Sequence, residues 1–226
     1  MFESNGHTQQ VAIPGPRDVR GSLESPTQSD TGPSDADELA TDSDSRTASD
    51  GVDAIVVACP PHPEHGGDRH DRRLVAVSEA LRDHDIACLR IDYGPWDEGH
   101  GERRDVGAAL SWASQRYDRL GCFGYSFGAA LAVLASAEHG ADAVAALAPP
   151  STLGPDLDVL GGLERLEAPT LVAYGFRDRT VDWEPVAECA RKEGHRLLEW
   201  PADHHFVGQY GDVAGDVASF FGDTIG

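Results

Sequence analysis

Three residues far apart in this chain, Ser126, Asp178 and His204, are of the types that together build a nucleophilic centre. A serine hydroxyl is a poor nucleophile until an imidazole takes its proton. That imidazole needs a carboxylate to fix its tautomer and to stabilise the imidazolium that forms. Ser126 lies in Leu120-Gly121-Cys122-Phe123-Gly124-Tyr125-Ser126-Phe127-Gly128, an apolar run that becomes Gly-x-Ser-x-Gly and then an alanine-rich stretch. A strand that turns straight into a helix at the serine strains its backbone and projects Oγ from the top of a sheet. Gly124 and Gly128 suit that reversal, because a Cβ at either would meet the neighbouring backbone. The helix behind the serine aims its free N–H groups at any oxyanion formed there, and Phe127 supplies the first of them.

Competing assignments exist. His205 is adjacent to His204, and only one of the two rings can point at Ser126. Asp182 competes with Asp178 as the acid, although Asp178 lies nearer a strand end and Asp182 suits the cap of the next helix. His62, His65, His70 and Asp68 could be read as a metal cluster, but their spacing fits no common zinc signature. Cys59 and Cys122 lie near the serine in sequence, yet neither occupies the apex of the turn, so packing accounts for them. Asp203 reads as a residue that fixes its loop. Tyr93, Trp96 and Trp183 fall near strand ends, where aromatics serve equally as pocket walls and as core plugs.

These groups need a scaffold. Residues 10–13 and 18–23 read as two short strands around Pro14-Gly15-Pro16, a hairpin-like opening. From 25 to 51 the chain is rich in Ser, Thr, Asp and Gly with almost no apolar residues, the composition of a disordered acidic loop or linker. Continuous apolar runs at 54–59 and 86–91, the segment before the serine, and the runs at 143–148, 170–174 and 195–200 read as strands. Helical spacing appears at 71–83, 102–117, after Ser126 to about 138, at 182–193 and at 207–221, with at most a helical turn within 157–166. Strand and helix alternate without a repeat. The expectation is one α/β domain over 1–226, a mostly parallel, doubly wound sheet with helices on both faces. In such sheets ligands bind at the carboxyl ends of the strands, and Ser126, Asp178 and His204 all follow predicted strands.

Composition narrows the partners. The formal net charge is −21, and Lys192 is the single lysine among 18 basic residues. Such a surface repels nucleic acid and anionic membrane, so neither is an expected partner. It matches the style of extreme halophiles, where concentrated salt screens self-repulsion. The acidic run from 30 to 50 reads most simply as solvated chain. Cys59, Cys88, Cys122 and Cys189 sit apart in apolar segments, the pattern of buried free thiols in a reducing cytosol. No basic-then-apolar leader and no window of membrane-spanning length is present, so a soluble, cytoplasmic protein is expected.

The order Ser…Asp…His, with Gly-x-Ser-x-Gly at the nucleophile, resembles the α/β-hydrolase superfamily. Within it the chain is similar to small, nearly lidless hydrolases of dienelactone-hydrolase-like type. The resemblance rests on Pro-His-Pro-x-x-Gly-Gly at 61–67, Gly175-Phe176-Arg177-Asp178, and Ala202-Asp203-His204. It implies Ser126 as nucleophile, His204 as base and Asp178 as its orienting acid, with no cofactor. It also implies a second oxyanion donor in the loop after Cys59. Proline carries no N–H, which rules out Pro60, Pro61 and Pro63 and leaves the backbone N–H of His62 in the implied position. The activity implied is hydrolysis of an ester or related acyl bond of a small soluble substrate. The same groups would serve an acyltransferase, thioesterase or peptidase, and the fold alone could persist as a binding protein. The span 149–168, where many relatives insert a helical lid, is short here.

Overall fold

Ala54–Cys59 (β3) is apolar at every position and buried at every position, so it must be covered on both faces. The computed structural model, which describes residues 7–26 and 52–226, covers it in that way. Ala54, Val56 and Ala58 face one core, while Ile55, Val57 and Cys59 face another, the two-residue alternation of a strand.

The chain runs β1 (His7–Ile13), β2 (Val19–Ser25), β3, α1 (Arg72–Leu81), β4 (Ala87–Asp92), α2 (His100–Ser114), β5 (Arg119–Tyr125) and α3 (Phe127–His139). It continues through β6 (Ala143–Leu147), β7 (Thr152–Leu153), β8 (Leu157–Asp158), α4 (Val159–Arg165), β9 (Thr170–Gly175), α5 (Glu184–Lys192), β10 (Arg196–Trp200) and α6 (Tyr210–Ile225). Eight strands form one sheet in the order β1-β2-β4-β3-β5-β6-β9-β10. β1 pairs antiparallel with β2, and β2 with β4, and every other neighbour is parallel. Leu74, Val77 and Leu81 of α1 and Val213, Val217 and Phe221 of α6 pack on one face. Val106, Ala109 and Leu110 of α2, with Leu131 of α3, pack on the other, where α4 and α5 extend the layer. Each fully buried Leu, Val or Phe in these layers contributes roughly 1.5–3 kcal/mol by leaving water. β5 is central, with β3 and β6 on either side. The doubly wound parallel sheet expected from the sequence is present.

Several boundaries differ from the sequence reading. Residues 27–51, the bulk of the anticipated acidic loop, lie outside the described residues, and Ser25 is the last residue of β2 rather than the start of that loop. A two-stranded hairpin, β7 with β8, precedes α4, and α4 itself is seven residues long rather than a single turn. Runs as short as Thr152–Leu153 carry no periodicity to detect. α6 starts at Tyr210 because the left-handed backbone of Gly208 (φ 80°) interrupts the segment after 207. Asp182 does not cap α5. That helix begins at Glu184, its flanking residue is Trp183, and no side-chain cap bond forms there among the described residues. All four cysteines are buried free thiols. Among the described residues no helix is long and apolar enough to cross a membrane.

Candidate active site

Ser126 joins β5 to α3 with φ 55° and ψ −116°, a conformation L-residues rarely adopt. Its N–H donates to the Leu147 carbonyl at 2.8 Å, anchoring the turn to β6. The two glycines are required sterically. A Cβ on Gly124 would overlap the carbonyl of Gly128, and one on Gly128 would overlap the carbonyls of Cys59 and Pro60. The sharp turn therefore brings α3 hard against the end of β3.

The acid and the imidazole come from loops that are stitched together. After β9 and β10 the backbones remain paired: the N–H of Phe176 donates to Trp200 and that of Arg177 to Ala202, each at 3.0 Å. Gly175 allows the approach, since a Cβ there would overlap the Ala202 carbonyl. Asp178 and His204 are thereby placed side by side, 6% and 5% exposed. His204 Nδ1 lies 2.7 Å from Asp178 Oδ2, and His204 Nε2 lies 2.9 Å from Ser126 Oγ. The other oxygen of Asp178, Oδ1, accepts the N–H groups of Thr180 at 2.7 Å and Val181 at 3.3 Å. A carboxylate can only accept, so Nδ1 donates and Nε2 keeps its lone pair for the Ser126 hydroxyl. His205 is exposed, its N–H donating to Asp203 Oδ1 at 3.0 Å, and Asp182 is exposed as well. The structure brings Ser126, His204 and Asp178 together and leaves His205 and Asp182 outside.

The Phe127 N–H opens α3, and neither it nor the His62 N–H has an acceptor among the described residues. The His62 carbonyl receives the N–H groups of His65 (3.1 Å) and Gly67 (3.0 Å), which folds the loop after β3 back on itself. Tyr93 pins that loop by donating its hydroxyl to the Pro60 carbonyl at 2.9 Å. The side chains of the two residues with free N–H groups also meet. The His62 ring stands 4.9 Å from Phe127, 4.6 Å from Trp96 and 4.5 Å from His65, with which it stacks. Burial and the neighbouring His65 lower the His62 pKa, and its Nδ1 has no hydrogen-bond partner among the described residues. Tyr93 and Trp96 thus belong to a wall beside Ser126. Trp183 does not: it stacks on Tyr174 at 4.6 Å and lines a cleft of about 790 Å³ together with Phe176, Asp178, Pro201 and Val207.

Sequence reasoning missed what holds this wall. Arg17, at the turn between β1 and β2, reaches across to α2, where its Nε meets Asp105 Oδ1 at 2.7 Å and Nη2 lies 3.6 Å from Glu102. Its Nη2 also donates to the Pro95 carbonyl. Asp105 Oδ2 accepts the Gly94 N–H, and Glu102 accepts those of Asp97 and Gly99. The loop bearing Trp96 is therefore fixed by two buried carboxylates and one arginine. Burial raises the Asp105 pKa against the opposing pull of Arg17 and the Gly94 N–H. No local signal marks Arg17, because its partners lie far along the chain. Among the described residues no group of three or more His, Cys, Asp or Glu could hold a metal ion.

No family model matches the chain. An uncharacterised protein of Rickettsia prowazekii is 26% identical over 171 residues, spanning 67% of this chain and 71% of that one. Among solved structures, a lidless α/β serine hydrolase from Xanthomonas campestris superposes with a TM-score of 0.73 at 22% identity, covering 98% of this chain and 95% of its own. Dienelactone hydrolase from Anabaena variabilis gives 0.72 at 20% identity, covering 97% and 98%. An esterase from Pyrococcus furiosus gives 0.74 at 16% identity, covering 98% and 92%. The chain has the α/β-hydrolase fold.

Proposed function

We propose that this protein is a serine hydrolase that cleaves an ester or related acyl bond of a small, soluble substrate. The observation that carries this reading is the unbroken run Ser126 Oγ–His204 Nε2–His204 Nδ1–Asp178 Oδ2, at 2.9 and 2.7 Å, ending on a serine held in strained backbone. A scaffold kept only for binding gains nothing from that strain, which represents about 1–3 kcal/mol.

In this reading Ser126 Oγ attacks the substrate carbonyl carbon while His204 Nε2 takes the hydroxyl proton. The carbonyl oxygen becomes an oxyanion and accepts the N–H groups of Phe127 and His62, an interaction absent from the ground state and worth about 3–4 kcal/mol per donor. Asp178 stabilises the imidazolium. His204 then passes the proton to the leaving alkoxide, and the acyl group remains on Ser126. Water, deprotonated by His204, attacks the acyl-enzyme and the cycle closes. No cofactor enters the scheme.

The substrate class follows from what surrounds the serine. The β7–β8 hairpin and α4 occupy the place where a larger lid would insert, and they leave Ser126 partly exposed. An acyl group whose oxygen rests on Phe127 and His62 emerges beside the His62, Trp96 and Phe127 rings, which favour flat or apolar substituents. The charge of −21 disfavours anionic substrates.

The test is turnover of p-nitrophenyl esters from acetate to decanoate in molar KCl, with Ser126→Ala, His204→Ala and His205→Ala alongside. Hydrolysis of the short esters that is lost in the first two variants and kept in the third is expected. Folded wild-type protein that neither hydrolyses any ester nor takes a fluorophosphonate label would overturn the proposal.

A further inference from the structure

The nucleophile sits at a rigid strand–helix junction, but His204 rides on a turn that belongs to no strand or helix. Two side chains from elsewhere hold that turn. Tyr125, the last residue of β5, donates its hydroxyl to the carbonyl of His204 at 3.0 Å. Arg73, in the first turn of α1, donates Nη1–H to the carbonyl of His205 at 3.2 Å. The two residues form one unit, with the guanidinium carbon of Arg73 4.2 Å from the centre of the Tyr125 ring. Asp71 braces Arg73 from behind, accepting its Nε–H at 2.8 Å and pairing with its Nη2, while also capping α1. The Tyr125 ring is buried and lies 5.4 Å from the His204 ring. Burial holds its phenol well above the ordinary value, so it stays a donor.

We propose that Tyr125 and Arg73 are positioning residues that present His204, rather than His205, to Ser126. The proposal rests on the hydrolase reading above. Successive side chains in a loop point in different directions, so fixing two consecutive carbonyls fixes which ring turns inward. The ring centres of His204 and His205 are 5.5 Å apart with planes at 79°, and the clamp grips the backbone oxygens of both residues. Tyr125 is joined by a peptide bond to the nucleophile. Its hydroxyl therefore sets the position of the base relative to Ser126 itself, and a shift of β5 would carry both together.

Tyr125→Phe removes only the hydroxyl and keeps the ring under Arg73, so the fold is retained. Two readouts apply. The first is kcat and KM on p-nitrophenyl acetate, where kcat is expected to fall about 5- to 20-fold with KM unchanged, the loss of one buried hydrogen bond expressed in the transition state. Arg73→Ala should act in the same direction, Arg73→Lys should restore part of the rate, and the double variant should lose less than the product of the single losses. The second readout needs no turnover: the downfield proton resonance of His204 Nδ1–H, whose exchange with water should quicken at least about fivefold in Tyr125→Phe. Wild-type kcat and wild-type exchange in folded Tyr125→Phe would overturn the proposal, as would the lack of any such resonance in the wild type. If folded wild-type protein neither turns over an ester nor takes a fluorophosphonate label, the hydrolase reading fails, while proton exchange still decides the clamp.

Discussion

Replacing Asp178 by asparagine changes one atom of the site, and the consequence can be worked out from its neighbours. Asp178 Oδ1 accepts two backbone donors, Thr180 N–H at 2.7 Å and Val181 N–H at 3.3 Å. An asparagine must keep its carbonyl oxygen there, because turning the amide would set NH₂ against both donors. Thr180 is exposed and Val181 half-buried, so each lost bond costs about 1–1.5 kcal/mol, and the two together disfavour the turned amide by roughly 2–3 kcal/mol and hold it to a few per cent at most. The NH₂ group therefore faces His204 Nδ1 at the position of Oδ2 and donates to it. His204 must then accept at Nδ1 and carry its proton on Nε2, which leaves no lone pair for the Ser126 hydroxyl. The expected loss in kcat is about 10⁴-fold, near 5.5 kcal/mol at 1.36 kcal/mol per decade, with little change in thermal midpoint. Were the amide free to turn, the loss would stay at or below about 100-fold. Single-turnover acylation by p-nitrophenyl acetate separates the two cases, and nitrogen NMR shifts of His204 report the tautomer directly. A loss under 100-fold in folded Asp178→Asn would refute the argument that Thr180 and Val181 dictate the orientation.

Other perturbations have defined outcomes. Trp96→Ala opens the wall against His62 and Phe127, and KM for phenyl esters should rise about 3- to 10-fold while KM for methyl esters holds; equal effects on both would show that the ring does not meet substrate. Arg17→Ala strands Asp105 and Glu102 and should destabilise by about 3–5 kcal/mol, or about 10 °C in midpoint, read by thermal melts. Because burial already raises the Asp105 pKa, the folded state binds its proton more tightly than the unfolded chain, and this group's contribution to stability falls as pH rises through the carboxylate range. The deficit of Arg17→Ala should therefore shrink on acidification, and a gap that widens would contradict the assignment. The thermal midpoint of the wild type should climb from dilute buffer to molar KCl, as the charge of −21 is screened; equal midpoints would dispose of the halophilic reading.

The sequence was informative wherever the cause of structure is local. Two glycines flanking Ser126 dictate the elbow because the clash they avoid lies within a few residues. β3 announces itself because six apolar residues in a row admit no solvated face. The succession of such runs sets the parallel sheet, and with it the loops that carry Ser126, Asp178 and His204. Local grammar failed where competing local options were nearly equal. Asp182 looks like a cap, yet packing of Val186 and Ala187 against the core starts α5 two residues later and leaves it in solvent. The β7–β8 hairpin is too short to leave a pattern.

The Ala202-Asp203-His204 resemblance already implied His204 as the base, but only tertiary structure shows what turns it inward, what grips it, and what fixes the wall beside the serine. His204 and His205 are chemically identical neighbours, so nothing in their own identity separates them. The separation comes from Tyr125 and Arg73, which lie 79 and 132 positions away from the carbonyls they hold. Arg17 likewise finds Asp105 across 88 positions. Such pairings arise only after strands and helices have packed, because a side chain's reach is a few ångströms and folding is what brings those carbonyls and carboxylates within it.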